Sequence, residues 1–160
     1  MIKNLELIAA VGENYELGKD NKLIWRIKKD LQTFKTITMW KNMVMGKNTY
    51  DSMPKHLEGR KYIVLTRQNI ELENATVYHS KSEFIKNLKF NERYIICGGA
   101  QIYKLFIDDV ETMFLTHIEE SHEADAFFPQ FDKSQFNSEL LVNTEENGIK
   151  YKQYKYTRIK

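Results

Sequence analysis

The sequence predicts an α/β fold: a mostly parallel central sheet with helices on both faces and an antiparallel hairpin closing its C-terminal edge. Three observations carry this. Short apolar runs alternate with amphipathic stretches between residues 5 and 107, and strand, helix, strand order implies parallel pairing through right-handed crossovers. The run Tyr94-Ile95-Ile96-Cys97 is apolar throughout, as a strand covered on both faces must be. Asn147-Gly148 separates two extended stretches, and Asn-Gly is the strongest short-range hairpin signal because both residues accept positive φ.

Taken in order, residues 5–11 form an apolar strand, followed by a Gly/Asn-rich loop that runs to Trp25. From Ile27 the spacing of Ile27, Leu31, Phe34 and Ile37 predicts a helix with one apolar face turned inward. Strands are expected at 42–45, 62–65, 75–78 and 94–97, with helices at 48–53, at 81–88 behind a Ser80 cap, and at 100–107. Residues 112–118 are apolar and extended, 119–129 read as a charged loop, and 136–145 and 149–159 are the hairpin strands. In the last of these Ile149 and Tyr151 share one parity and Tyr154 and Tyr156 the other, which predicts a bulge near 152–153.

A chain of 160 residues, 42% hydrophobic, is expected to form one domain over residues 1–160. Lys plus Arg number 24 against 22 Asp plus Glu, a formal charge of +2, which argues against a nucleic-acid binder. Cys97 is the only cysteine, so neither an intrachain disulfide nor a Cys-rich metal site is expected. The N-terminal apolar run has strand length and lacks a signal peptide's pattern, and no run is long enough to span a bilayer. The expectation is a cytoplasmic protein without membrane or nucleic-acid partners.

The candidate working parts lie in residues 17–34. Asp30 borders the apolar stripe of its helix rather than the polar back occupied by Lys28 and Lys29. A carboxylate there needs a partner, which a ligand with an amidine-like pair of N–H donors can supply; alternatively it is a first-turn acid favoured by the helix dipole. Two strand-to-helix junctions carry glycine, Met45-Gly46-Lys47-Asn48-Thr49 and Cys97-Gly98-Gly99-Ala100-Gln101. Free N–H groups at a helix start attract anions, and two such junctions on one sheet edge could grip two phosphates of a dinucleotide, although glycine at either alone can simply make the turn. The Gly-x-Gly-x-x-Gly fingerprint is absent. Lys47 and Thr66-Arg67 would suit an additional phosphate such as that of NADP.

These pieces together resemble dihydrofolate reductases nearly end to end. The likeness is carried by Ile8-Ala9-Ala10, Leu17-Gly18 through Leu23-Ile24-Trp25, Asp30-Leu31 with Phe34 and Lys35, and Met45 to Thr49. It continues through Leu57-Glu58-Gly59-Arg60, Gly98-Gly99-Ala100-Gln101-Ile102-Tyr103, Leu115-Thr116-His117 and Asp125-Ala126-Phe127-Phe128-Pro129. The resemblance implies hydride transfer from NADPH to C6 of 7,8-dihydrofolate with N5 protonated. It makes Asp30 the pocket carboxylate for the 2-amino and N3 side of the pterin, with Thr116 beside it and Trp25 holding a water near O4. Ile8, Ala9, Leu31, Phe34, Met53, Leu57 and Cys97 would pack around the substrate, and Arg60 would pair with its glutamate α-carboxylate.

On the cofactor side the resemblance implies Ala10, Leu17, Gly18, Gly46, Asn48, Thr49, Cys97, Gly98, Gly99, Ala100, Gln101, Ile102, Tyr103 and Asp125. Lys47, Leu65, Thr66 and Arg67 would meet the adenosine and its 2′-phosphate, within an adenosine-binding subregion of about 41–91. It further implies a cis Gly98-Gly99 bond, a monomer, antifolate inhibitors in the substrate pocket and no metal. The chain departs from the family pattern at Ile24 and Glu58, where proline is common, at Ala124 and Ala126 around Asp125, and at Cys97, where a larger residue is common. Two rivals are a related NADPH-dependent pyrimidine reductase of riboflavin synthesis and a non-catalytic nucleotide-binding module.

Overall fold

Side chains alternate across a strand, so an unbroken apolar run can feed two cores at once. The computed structural model, which describes residues 1–160, shows this throughout. Its elements are β1 (Ile2–Val11), β2 (Glu16–Lys19), β3 (Lys22–Leu23), α1 (Lys28–Thr38), β4 (Asn42–Gly46), α2 (Lys47–Ser52), β5 (Lys61–Leu65) and β6 (Ala75–Tyr78). They continue with α3 (Lys81–Lys86), β7 (Tyr94–Gly98), α4 (Ala100–Phe106), β8 (Val110–Ile118), β9 (Ala126–Phe127), β10 (Phe136–Glu146) and β11 (Ile149–Arg158). Val44, Ile63, Leu65, Tyr94 and Ile96 point to one face, where Phe84 of α3 and Phe106 of α4 cover them. Met43, Met45, Tyr62, Val64 and Ile95 point to the other, with Phe34 and Ile37 of α1 alongside.

The eight-stranded sheet has the order β10-β11-β8-β1-β7-β4-β5-β6. Strands β8, β1, β7, β4, β5 and β6 are mutually parallel, whereas β11 runs antiparallel to β8 and β10 antiparallel to β11. This is the architecture expected from the sequence. Asn147 and Gly148 both have positive φ, 53° and 82°, in the turn between β10 and β11. Ser80 caps α3 by accepting the Glu83 N–H, as expected.

Four expectations are corrected. The stretch before Trp25 is a second small sheet, β3-β2-β9, rather than an irregular loop; Asp20 and Asn21, at φ 52° and 62°, make the reversal between β2 and β3. The charged loop after β8 likewise contributes β9. The bulge lies on β10 at Leu141, because Leu140 pairs Tyr154 and Val142 pairs Gln153, while β11 runs in unbroken register along β8. The parity change in β11 reflects two buried faces: Tyr151 packs with Ile27 and Ile118, and Tyr156 enters the main core. Finally, the α1 stripe is not all core. Ile27 is buried, but Leu31 is 39% exposed and Phe34 and Ile37 are half-buried, because that face walls an open cleft.

Two polar details were unreadable as apolar patterning. Glu6, in the middle of β1, is buried with its Oε1 2.7 Å from Lys41 Nζ and its Oε2 2.9 Å from an Arg93 nitrogen. The N-terminus of α1 lacks a local cap, and Glu146 of the hairpin supplies one, accepting the Lys28 and Lys29 N–H groups at 2.7 and 3.2 Å.

His117 on β8 faces away from the cleft into aromatic rings of Tyr15, Tyr154 and Tyr156, with Nε2 2.9 Å from the Tyr156 hydroxyl. Burial pushes its imidazole down to about 4. The unfolded chain therefore takes up this proton near its ordinary value while the folded chain refuses it until about 4, so stability is lost as pH falls through that window. Urea unfolding of the wild type is expected to lose about 2 kcal/mol more than His117→Phe between about pH 7 and about pH 5. Equal losses would remove His117 as the acid-sensitive group.

Candidate active site

The carboxyl ends of parallel strands are where an open α/β sheet leaves a crevice. Here the ends of β1, β4, β5, β6, β7 and β8 all border one cleft of about 1940 Å³. Single-ligand pockets run to roughly 300–1,000 Å³, so the cleft is roomier than one small ligand requires. No group of three or more His, Cys, Asp or Glu side chains stands ready to hold a metal ion.

At one end Asp30, in the first turn of α1, meets Thr116 of β8. The Thr116 hydroxyl donates to Asp30 Oδ1 at 2.6 Å. Burial pushes the Asp30 carboxyl above its ordinary value, and the Thr116 hydrogen bond opposes this only in part; no basic side chain contributes. A desolvated carboxylate without a cation is a receptor for an N–H pair. Ile8 and Ala9 of β1, Leu31 and Phe34 of α1, Met53, Leu57 and Cys97 give that end apolar walls. Burial also pushes the Cys97 thiol up, so it stays protonated and acts as a small wall residue.

At the other end, both glycine junctions open into the cleft. Gly46 caps α2 and Gly99 caps α4, and neither helix start has a side-chain cap, so their N–H groups remain available to an anion. Lys47, Asn48, Thr49 and the stretch from Gly98 to Tyr103 line this end with Leu65, Thr66 and Arg67, while Ala10, Leu17, Gly18 and Asp125 border the middle. Lys47 is already engaged, with Nζ 2.8 Å from both carboxylate oxygens of Asp51. Asp125 holds the flap of β2 and β3: its N–H donates to the Gly18 carbonyl at 3.1 Å and its Oδ2 accepts the Asp20 N–H at 3.0 Å.

The Gly98-Gly99 bond is cis, as expected. Gly98 has φ 122°, and a Cβ there would meet the Tyr103 hydroxyl at 3.4 Å. At Gly99 φ is −87° and the nearest atom to a Cβ is Thr49 Oγ1 at 3.7 Å. The conformational demand therefore falls on Gly98. Gly98→Ala is expected to cost about 1–3 kcal/mol of stability, more than Gly99→Ala, by thermal or urea unfolding of the two variants; the reverse order would contradict this placement.

Two expected residues do not line the cleft itself. Trp25 walls a small side chamber of about 40 Å³ with Ala10, Leu17, Asp30 and Leu31, enough for one water. Arg60 sits at the C-terminal end of α1, donating to the carbonyls of Lys35 and Glu58 at 2.6 and 2.7 Å and to Thr38 Oγ1 at 3.3 Å. Conversely, Gln68, His79 and Lys81 line the cleft without having been singled out, and so do Asn21, Arg26 and Lys35, which the sequence offered only as parts of longer stretches. His79 and Lys81 follow β6 directly, so the strand-end rule would have found them; Asn21 is marked by its turn.

The family model described as dihydrofolate reductase matches residues 4–159. The chain belongs to the dihydrofolate reductase family. A dihydrofolate reductase of Staphylococcus haemolyticus is 32% identical over 160 residues, covering 98% of this chain and 96% of the relative. One from Buchnera aphidicola subsp. Acyrthosiphon pisum is 37% identical over 129 residues, covering 80% of each. Among solved structures, dihydrofolate reductase from Enterococcus faecalis complexed with NADP(H) and RAB-propyl superposes with a TM-score of 0.85 at 30% identity, covering 99% of both chains.

Proposed function

We propose that the chain reduces 7,8-dihydrofolate to 5,6,7,8-tetrahydrofolate with NADPH, acting as a monomer in the cytoplasm, with residues 1–160 forming one domain and about 41–91 its adenosine-binding subregion. The observation that carries this reading is the Asp30–Thr116 pair at one end of the cleft. Neither rival requires a desolvated carboxylate there.

NADPH, when bound, supplies the hydride delivered to C6 of the pterin. The chain's own residues do the rest. Asp30 receives the 2-amino and N3 donors with the carboxylate edge that Thr116 leaves open, and burial strengthens that hydrogen bond. Asp30 lies at the far edge of the ring from N5, so it raises the ring's affinity for a proton while a water delivers it. Trp25 and its side chamber hold a water near O4. Ile8, Ala9, Leu31, Phe34, Met53 and Leu57 keep the ring in an apolar slot that excludes bulk solvent, and antifolate inhibitors compete for that slot.

Arg60 has five N–H donors, of which three are spent on the α1 end and the Glu58 carbonyl. Those bonds fix the fork, and the two remaining donors suit the substrate's glutamate α-carboxylate. The two glycine-fronted helix starts take the pyrophosphate, and Thr66 with Arg67 takes the 2′-phosphate. Purified protein should consume NADPH when dihydrofolate is added and not when the pyrimidine substrate of riboflavin synthesis is added. Consumption with the pyrimidine alone would transfer the chain to the rival activity.

A further inference from the structure

The flap carries a buried carboxylate to which the reading above gives no task. Glu16 in β2 is 1% exposed. Its Oε1 accepts the Asn14 N–H and its Oε2 accepts the His122 N–H, each at 2.7 Å. One side chain thus fastens the base of the flap to the 119–125 loop. Burial pushes this carboxyl up, but the N–H groups of Glu16, His122 and Asn14 together outweigh burial and hold it below the ordinary carboxylate value. It is ionised at neutral pH.

Gly12 lies against it, donating its N–H to the Glu16 carbonyl at 3.1 Å. A Cβ on Gly12 would collide with Trp25 Cη2 and stand 2.5 Å from Glu16 Oε1 and 2.9 Å from the Glu120 carbonyl. The edge of the Trp25 ring, the Glu16 carboxylate and the loop backbone therefore converge on one glycine Cα. An aromatic edge carries partial positive charge, so the carboxylate is a favourable neighbour. The His122 ring meets Trp25 edge-on, with centroids 6.4 Å apart and planes at 78°. Trp25 in turn walls the chamber that also touches Asp30 and Leu31.

We propose that Glu16 is a positioning residue for the reaction, clamping β2 to the 119–125 loop and thereby fixing the Trp25 ring beside Asp30. The proposal rests on the substrate-side reading of Asp30 and Trp25 given above. Of the other bonds between these segments, the Glu13 N–H donates to the Glu120 carbonyl at 2.9 Å at the same base and joins backbone only, Asp125 holds the flap tip at Gly18 and Asp20, and Lys19 reaches Glu123 at 2.6 Å on the surface, where ion pairs contribute little. An apolar side chain at position 16 would leave the Asn14 and His122 N–H groups without their acceptor and free the ring to swing from the chamber.

The test uses a Trp40→Phe background, since Trp40 is 80% exposed and is the only other tryptophan, leaving Trp25 as the sole emitter. In that background Glu16→Leu is expected to shift Trp25 emission, to raise KM for dihydrofolate about tenfold and to leave KM for NADPH within about twofold. Glu16→Gln keeps one accepting oxygen and should fall between. If Glu16→Leu does not fold, Gly12→Ala drives a methyl against both the Trp25 ring and the Glu16 carboxylate, and should show the same selective rise. Unchanged emission, equal losses for both ligands, or a normal dihydrofolate KM in folded Gly12→Ala would each overturn the proposal. Asp30→Asn measured in parallel separates the two readings: wild type no faster than Asp30→Asn would sink the assigned activity, whereas the emission change judges Glu16 on its own.

Discussion

Asp30→Asn is expected to fold, to be at least as stable as wild type at neutral pH, and to lose about 100-fold or more in activity there. The stability half follows from sign. Burial raises the folded-state carboxyl above its ordinary value, so between the two values the folded chain binds more protons than the unfolded one, and stability falls as pH rises through that window. At neutral pH the ionised Asp30 is a net cost to the fold, which the amide removes. The activity half follows from chemistry. Without the carboxylate the pterin is less readily protonated, so the variant should recover relative to wild type as the pH falls and dihydrofolate acquires its proton from solution. Stopped activity with an unchanged pH–rate profile would take Asp30 out of the proton step, and a less stable variant at neutral pH would contradict the desolvation argument.

Arg67→Ala is expected to weaken NADPH binding by about 10- to 100-fold, the range of hydrogen bonds to charged groups, and to change NADH binding by less than about twofold. Lys47→Ala should lose less, because both Asp51 oxygens already hold its ammonium at 2.8 Å, whereas Arg67 has no such partner among the ion pairs of the chain. The sequence treats the two cations alike; the geometry ranks them. Titration of each variant with both cofactors decides the matter. Equal losses for NADPH and NADH would place Arg67 on the pyrophosphate or the fold instead of the 2′-phosphate.

Much of this architecture was legible because its signals are local. Tyr94-Ile95-Ile96-Cys97 has the unbroken apolar run of a strand covered twice, and Asn147-Gly148 has the strongest short-range hairpin signal. The glycine-fronted end of the cleft was legible for the same reason, since Gly46 and Gly98-Gly99 follow apolar runs at the strand ends where α/β sheets leave a crevice. What escaped depends on distant partners. β2 and β9 are too short to read alone, and they exist because Gly18 pairs with Ala126. Periodicity marks Leu31 and Phe34 as apolar but does not distinguish a core from the wall of a cleft. Glu6 and Glu16 look like polar interruptions in a strand and a loop until Lys41, Arg93 and the His122 backbone arrive from elsewhere in the chain. Arg60 and Trp25 carry the family pattern, yet their placement beside the cleft lining is set by the α1 end and the flap.

If one cleft brings NADPH and dihydrofolate together for a hydride transfer to C6, the transferred hydrogen carries its isotope into the product. NADPH carrying deuterium on the transferable position of its nicotinamide, incubated with dihydrofolate and the purified protein, tests this directly. The product should be tetrahydrofolate with one deuterium at C6 and none at N5-derived exchangeable positions, read by mass spectrometry and NMR. Tetrahydrofolate without deuterium at C6, or oxidised cofactor without tetrahydrofolate, would contradict it.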